Sequence, residues 1–482
     1  MSDEAKKDPL ENLPSETFCA LPWLHLSTRP NGHMRVCCTA NASGVAVNAD
    51  STNKTNSDAG VLKTDNGKPA NLSNTSLTGA WNNEYMKGIR KMMLAGKKPP
   101  SCIKCFKEEE AGHRSKRQWE TKKWINDLGV ADIIGNTKED GTIDPKIRYI
   151  DLRLGSKCQL ACVMCSPNDS SGWVKEHKAI APKLKNENLK KTMQWEKESG
   201  KLAWTGGSYN WHKKNPEFWD ELYAQIPTLK QLYWAGGEAL IMKEHYTLMQ
   251  KIIDMGYADQ IEVRYNSNGL EWEPELFELW KQFKHVIFHF SIDDIDDRLE
   301  FIRYPSDFKQ VEEQIWKLDN YPHDNLTLTT AWTGIALNIH YLPEFLKWKV
   351  NSNFKKLNKY PNGAGLFSCH LAYWPPQLNI KALPEWFKKE TRQKFEEELF
   401  PWLEENWQKC TGVEESGITY EEWRKDEYGI KRIEGLLDFM DAEDWSVRLP
   451  EMAEWCDQVS KQRNQDFNKA FPEMDWLEWH RK

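Results

Sequence analysis

Ile147-Arg-Tyr-Ile-Asp-Leu-Arg153, followed by Cys158-Gln-Leu-Ala-Cys162-Val-Met-Cys165, is the stretch that decides how this chain is read. The first run is apolar and strand-like. The second spaces three thiols C-x3-C-x2-C on a strand-to-helix turn, close enough to converge on one metal centre. A structural zinc or iron–sulfur site takes four protein ligands, so three leave one coordination position open, as reactive sites do. No histidine or fourth cysteine follows within a plausible loop. The bland alternative is three buried cysteines packing as small hydrophobes.

From residue 147 onward, strand-like runs at 147–153, 229–235, 260–265, 285–291, 326–331 and 366–373 alternate with helical runs near 216–225, 244–255, 273–283, 308–318 and 342–348. That alternation predicts a parallel sheet with helices outside, an α/β fold of the partial (β/α)6 barrel type over 145–380. Such a barrel works at the C-terminal ends of its strands. Gly236-Gly237-Glu238 ends the second of these strands, where glycines let a ligand approach the backbone and a carboxylate can take an ammonium group. Asn266-Ser267-Asn268-Gly269 ends the third, and Ser291-Ile-Asp-Asp294 ends the fourth, with Arg303 beyond it.

C-x3-C-x2-C after a first strand, with Gly-Gly-Glu after a later one, resembles the radical SAM enzymes. The resemblance implies that Cys158, Cys162 and Cys165 hold a [4Fe-4S] cluster whose fourth iron binds S-adenosylmethionine (SAM). One electron then cleaves SAM to a 5′-deoxyadenosyl radical, which abstracts a substrate hydrogen. Such chemistry needs an electron donor such as flavodoxin or ferredoxin. By the same resemblance Gly236, Gly237 and Glu238 meet the SAM amino group, with Ala239 standing where the family usually has proline. Ser267 and Asn268 match the family's Thr-Asn-Gly. Ser291 and Arg303 meet the ribose or carboxylate, and Met164 packs near the adenine. The polar-turn and surface-ion-pair readings of these residues remain open beside it. No residue is assigned a catalytic role.

A second cysteine group lies upstream. The runs 24–28 and 33–38 read as a hairpin around Arg29-Pro-Asn-Gly32, bringing Cys19 near Cys37. A helical stretch from Leu77 carries Trp81, Met86, Ile89 and Met93 on one side, and Cys102-Ile-Lys-Cys105 forms a knuckle with a basic tail. Cys19, Cys37, Cys102 and Cys105 make a closed four-thiol set, with Cys38 an alternative to Cys37, and a zinc ribbon is one reading. The arrangement also resembles the auxiliary-cluster modules called SPASM and Twitch, here N-terminal to the core, which implies an auxiliary [4Fe-4S] cluster. Residues 18–125 are expected to form this module, lying as a lid across the barrel's C-terminal mouth. A disordered N-terminus is expected over 1–17, and a mobile loop over 41–76.

Composition bounds the rest. At 482 residues the chain has room for two or three domains. A formal charge of −7 gives no electrostatic case for nucleic acid or an anionic membrane. No apolar run is long enough to span a bilayer, and the N-terminus lacks a signal pattern. Eleven cysteines, mostly in tight groups, then read as metal ligands in a reducing cytoplasm. The acidic run Asp293, Asp294, Asp296 and Asp297 reads as a solvated turn and helix cap, and Cys369 as a buried thiol. Residues 381–482, rich in Glu, Lys and Trp, read as a helical cap without ligands. The expected substrate is a peptide or protein side chain; a small carbohydrate or nucleotide metabolite, or a non-catalytic iron–sulfur or zinc protein, are the rivals.

Overall fold

In the computed structural model, strands β1 (His25–Thr28), β2 (Met34–Arg35), β3 (Tyr149–Leu152), β4 (Gln231–Trp234), β5 (Glu262–Ser267), β6 (His285–Ser291), β7 (Leu326–Gly334) and β8 (Ser368–Leu371) form one sheet. Their order is β2-β1-β3-β4-β5-β6-β7-β8, parallel throughout except for the antiparallel β1–β2 pair. The structure describes residues 9–40, 60–64, 66–73, 75–110, 114–193, 209–359, 366, 368–411, 419–425 and 429–480. This is a mixed α/β architecture with an eight-strand, mostly parallel sheet. The six strands expected from the sequence are all present.

Register sorts the two faces. Leu26, Ile150, Leu232, Val263, Val286 and Leu326 share one row, all apolar. The next row is Ser27, Asp151, Tyr233, Arg264, Ile287 and Thr327. A period of two thus puts apolar side chains on one face and polar ones on the other. The apolar face carries the helices: Tyr265 of β5 accepts or donates to His245 of helix Lys243–Asp254 at 2.8 Å and receives Trp280 Nε1 at 3.1 Å. The polar face lines the hollow of the partial barrel.

The N-terminal cysteine region is not a separate lid. Its first strand, β1, pairs in parallel with β3, so it extends the main sheet. A strand reveals its own pattern but not its partner, which here lies more than a hundred residues away. Helix Lys116–Leu128, capped by a Ser115/Gln118 capping box, then runs along the polar face. Lys123 donates to Gln231 Oε1 at 2.7 Å and Glu262 Oε1 at 3.0 Å, the first residues of β4 and β5. Those contacts lie at the N-terminal ends of the strands, opposite the mouth. The knuckle reaches the far edge, where the Lys104 ammonium sits 5.8 Å above the ring of Tyr373, just past β8.

Two further expectations change. Residues 9–17 are ordered, with a 3-10 turn at Pro9–Asn12 and Thr17 donating to the Met93 carbonyl at 3.2 Å; residues 1–8 lie outside the described residues. The supposed loop 41–76 contains core: Val61, Leu62, Ala70 and Leu72 are fully buried, and bridges join Arg35 to Val61 and Lys63 to Pro69. Its polar composition masked these four side chains, while 41–59 lie outside the described residues. No helix among the described residues is long and apolar enough to cross a membrane.

If β1 and helix 116–128 belong to the sheet, a fragment spanning 145–380 should not fold alone. We expect it to lack a cooperative thermal transition by circular dichroism; a melt like that of the full chain would show the barrel to be independent.

Candidate functional site

The loop after β3 has no regular secondary structure, so its backbone groups need outside partners. Ala161 N–H donates to Tyr304 O at 2.6 Å and Val163 N–H to Ile302 O at 2.8 Å. Trp173 Nε1 donates to Cys162 O at 2.7 Å. Arg463 donates to Ala161 O and Phe301 O, pairs with Glu176 at 2.8 Å, and lies 4.8 and 4.7 Å from the rings of Trp173 and Tyr304. Arg463 sits in helix Leu449–Arg463 of the C-terminal region, expected from the sequence to be a helical cap without ligands. Nothing in its local sequence marks it, because its partners are remote in the chain, Phe301 162 residues away and Ala161 302.

These contacts hold Cys158, Cys162 and Cys165 on one loop at the C-terminal mouth. Cys162 is buried; the other two are half-buried. The Cys162 thiol is pulled down to about 7 by a hydrogen bond with Cys165, with burial opposing and the Arg303 and Arg463 guanidiniums assisting. Cys165, the other half of that pair, is pushed up. Burial pushes Cys158 up to about 12, reinforced by Cys162 and Glu238.

The glycines next to Glu238 serve the chain itself. A Cβ on Gly236 would meet the Arg153 stem at 3.0 Å, and one on Gly237 would come 2.6 Å from the Lys157 carbonyl. Both adopt positive φ, 74° and 59°. They let the β4 loop lie against the cysteine loop, so the space expected for a ligand is filled by Arg153 and backbone. Glu238 N–H donates to Lys157 O at 2.7 Å. The Glu238 carboxylate is buried and accepts from Ser267 Oγ at 2.8 Å, Asn268 N–H at 2.8 Å and Leu240 N–H at 3.1 Å. Burial raises its pKa, against the pull of those three donors. Asn268 Nδ2 also lies 3.9 Å from Cys158 Sγ, so the structure joins three predicted groups at one point.

Arg303 donates to Asp293 Oδ2 at 2.7 Å and acts electrostatically on Cys162 and Cys165. Asp293 also accepts from Thr333 N–H at 2.7 Å. The acidic run is therefore not a solvated turn: Asp293 and Asp294 are buried, each held by an arginine, and burial pushes Asp294 up to about 7 despite Arg298. Only Asp296 and Asp297 are exposed. Met164 is half-buried beside Cys165, and Ser291 ends β6 on the polar face. Cys369 is buried on β8 as expected.

The second cysteine group also assembles. Cys19, Cys37, Cys102 and Cys105 line one cavity with Thr39, Lys116 and Arg117. Burial raises the pKa of all four, and Cys19, Cys37 and Cys102 are raised further by other thiols of the set. Cys38 instead acts on Tyr149, Arg153 and Tyr233 of the sheet's polar face. Among the described residues, no three His, Cys, Asp or Glu side chains converge closely enough for a single metal ion.

Because Arg303 stabilises the Cys162 thiolate, its removal should raise that thiol's pKa. In cluster-free protein, thiolate absorbance near 240 nm should show a first titration near pH 7, and Arg303→Gln should move it upward. An unchanged first midpoint would separate Arg303 from the cysteine loop.

No curated protein matches the chain. Residues 152–348, which run from the end of β3 into the helix after β7, match the family model described as Radical SAM superfamily, a family that implies a [4Fe-4S] cluster and SAM. The matched stretch begins beyond the N-terminal cysteines. With the three-thiol loop at the strand ends, the chain carries a radical SAM superfamily domain over residues 152–348.

Proposed function

We propose that the protein is a peptide- or protein-modifying radical SAM enzyme with two iron–sulfur sites. The observation that carries the second site is the shared cavity of Cys19, Cys37, Cys102 and Cys105. Four thiols all raised by burial, three of them further by thiols of the set, favour a cationic centre, which would relieve both burial and repulsion. Four thiolates also suit a tetrahedral zinc ion, the rival reading of this site. A [4Fe-4S] cluster, with one thiolate per iron, fits a ring of cysteines around a space. Cys37, which lines the cavity where Cys38 is not among the lining residues, is its ligand. Closed by four thiols, this site suits electron transfer, the role of SPASM and Twitch modules it resembles.

At the mouth, Cys158, Cys162 and Cys165 would hold the first cluster. Bound there, the cluster would supply one electron to the SAM sulfonium, and SAM, losing methionine, would supply a 5′-deoxyadenosyl radical for hydrogen abstraction. The chain's own residues fit that ligand. A carboxylate has about four acceptor sites; Glu238 uses three on its own chain, leaving one for an ammonium, whose charge would offset the burial that raises its pKa. Ser267 and Asn268 orient that carboxylate rather than touching SAM first. Arg303 spends one donor on Asp293 and keeps others for a SAM carboxylate. Ser291 and Met164 remain assigned to the ribose and adenine, and Gly236 and Gly237 to close packing of the loop. An electron donor such as flavodoxin or ferredoxin reduces the site. The barrel is assigned to 145–380 and a bracing helical cap to 381–482, whose Arg463 holds the cysteine loop.

Reconstituted protein should carry roughly eight irons, four per cluster. Cys102→Ala should lose about half while SAM binding persists; zinc with four irons in the wild type would make the N-terminal site a ribbon. Glu238→Gln should weaken SAM binding about tenfold, the loss of one charge-assisted contact, with iron content unchanged. Undiminished affinity in that variant would place the SAM amino group elsewhere.

A further inference from the structure

A cavity beside Cys165 is lined by Trp173, Trp374, Trp455 and Gln377. Its volume, about 20 Å³, exceeds what one water needs and admits the flat head of a side chain but no nucleobase. Trp173 and Trp455 stack with ring centroids 5.3 Å apart, and Trp173 Nε1 is already committed to Cys162 O at 2.7 Å. Gln377 sits in a 3-10 turn, Pro376–Leu378, just past β8. That turn is fixed: Leu378 N–H donates to Pro375 O at 3.0 Å, and Leu378 O accepts from Ala336 N–H at 2.8 Å. Gln377 is fully buried and Trp455 nearly so. Among the described residues, neither amide atom of Gln377 nor Trp455 Nε1 has a hydrogen-bond partner. Of the residues lining the cavity, only Cys165, Ser166 and Trp374 are half-buried, so it opens between the cysteine loop and Trp374.

We propose that this cavity is a specificity site that takes a side-chain carboxamide, glutamine or asparagine, of the peptide substrate. The inference rests on the peptide-modifying reading above. The count of donors and acceptors selects the ligand. Gln377 offers the Nε2 amino group and the Oε1 acceptor, and Trp455 offers one N–H. A carboxamide oxygen accepts from both nitrogens while its own amino group donates to Oε1, so every one of these buried atoms is met. A carboxylate has no proton for Oε1, and an ammonium has no acceptor for the two donors. An apolar side chain would leave all three atoms buried and unpaired, the costliest arrangement. The indoles supply flat walls for a planar amide. Held beside Cys165, the carboxamide would fix its neighbours in the peptide at the mouth where SAM is assigned.

Fluorescence anisotropy on the full, iron-loaded chain tests this with a labelled alanine heptapeptide bearing glutamine, asparagine, glutamate or norleucine at its centre. A carboxamide peptide should bind at least about tenfold tighter than the glutamate and norleucine ones. Gln377→Leu should abolish that preference at unchanged iron content and far-ultraviolet dichroism. It should not lower the melting temperature, because the atoms it removes have no partner in the free protein. Trp455→Phe, which keeps a ring and removes one donor, should weaken the preferred peptide several-fold, and it decides alone if Gln377→Leu does not fold. A preference that survives these variants would overturn the proposal. So would equal binding of all four peptides with a destabilised Gln377→Leu, which would mark a buried water, or displacement of the peptide by free adenine, which would mark a nucleobase site. Binding is read without SAM or reductant. Failure of all four peptides to bind would overturn the peptide-modifying reading with this inference, whereas equal binding removes this inference alone.

Discussion

The cysteine loop cannot satisfy its own backbone, and much of the molecule is arranged to do so for it. Tyr304 and Ile302 accept its N–H groups, while Trp173 and Arg463 donate to its carbonyls. Each buried backbone group left without a partner would cost about 1–3 kcal/mol, so an irregular loop of this kind survives only inside a frame. The frame comes from the helix after the loop, the segment after β6, the β4 loop and the C-terminal helix. A hydrogen bond with Cys165, helped by the charges of Arg303 and of Arg463, which braces the loop, draws the Cys162 thiol toward the thiolate form that binds iron. In Arg463, holding the loop and preparing its ligands are one interaction.

The same economy shapes the sheet. Its apolar face is spent on helices, leaving a hollow lined by Asp151, Tyr233, Arg264, Asn266 and His289 instead of the branched aliphatic layers that fill a closed barrel. At the strand N-termini, helix 116–128 answers those polar groups with Lys116, Glu120 and Lys123. Toward the mouth they face the space where SAM and substrate are assigned, and a radical site there must exclude water yet hold polar ligands.

Much of this was legible from the sequence because strands and metal loops are local. Six strands, the three-thiol loop and the four N-terminal cysteines all fall where periodicity and spacing put them. What stayed hidden was pairing. Residues 24–28 read as a hairpin arm, and they are one, but nothing in them announces β3 as a second neighbour. Ser115-Lys-Arg-Gln118 carries a capping-box signal that could have placed the helix at 116, though not its position on the polar face. Asp293 and Asp294 looked solvated because acidic runs usually are; only the fold brings Arg303 and Arg298 to them. Gly236 and Gly237 were expected to open space for a ligand, yet the space beside them belongs to Arg153 and Lys157.

The central claim is that the loop Cys158–Cys165 at the strand ends works on SAM. Anaerobic incubation of the reconstituted protein with SAM and dithionite, followed by chromatography for 5′-deoxyadenosine, tests it most directly. The account predicts 5′-deoxyadenosine from the wild type and none from Cys162→Ala, with the variant still folded; equal yields from the two proteins would contradict it.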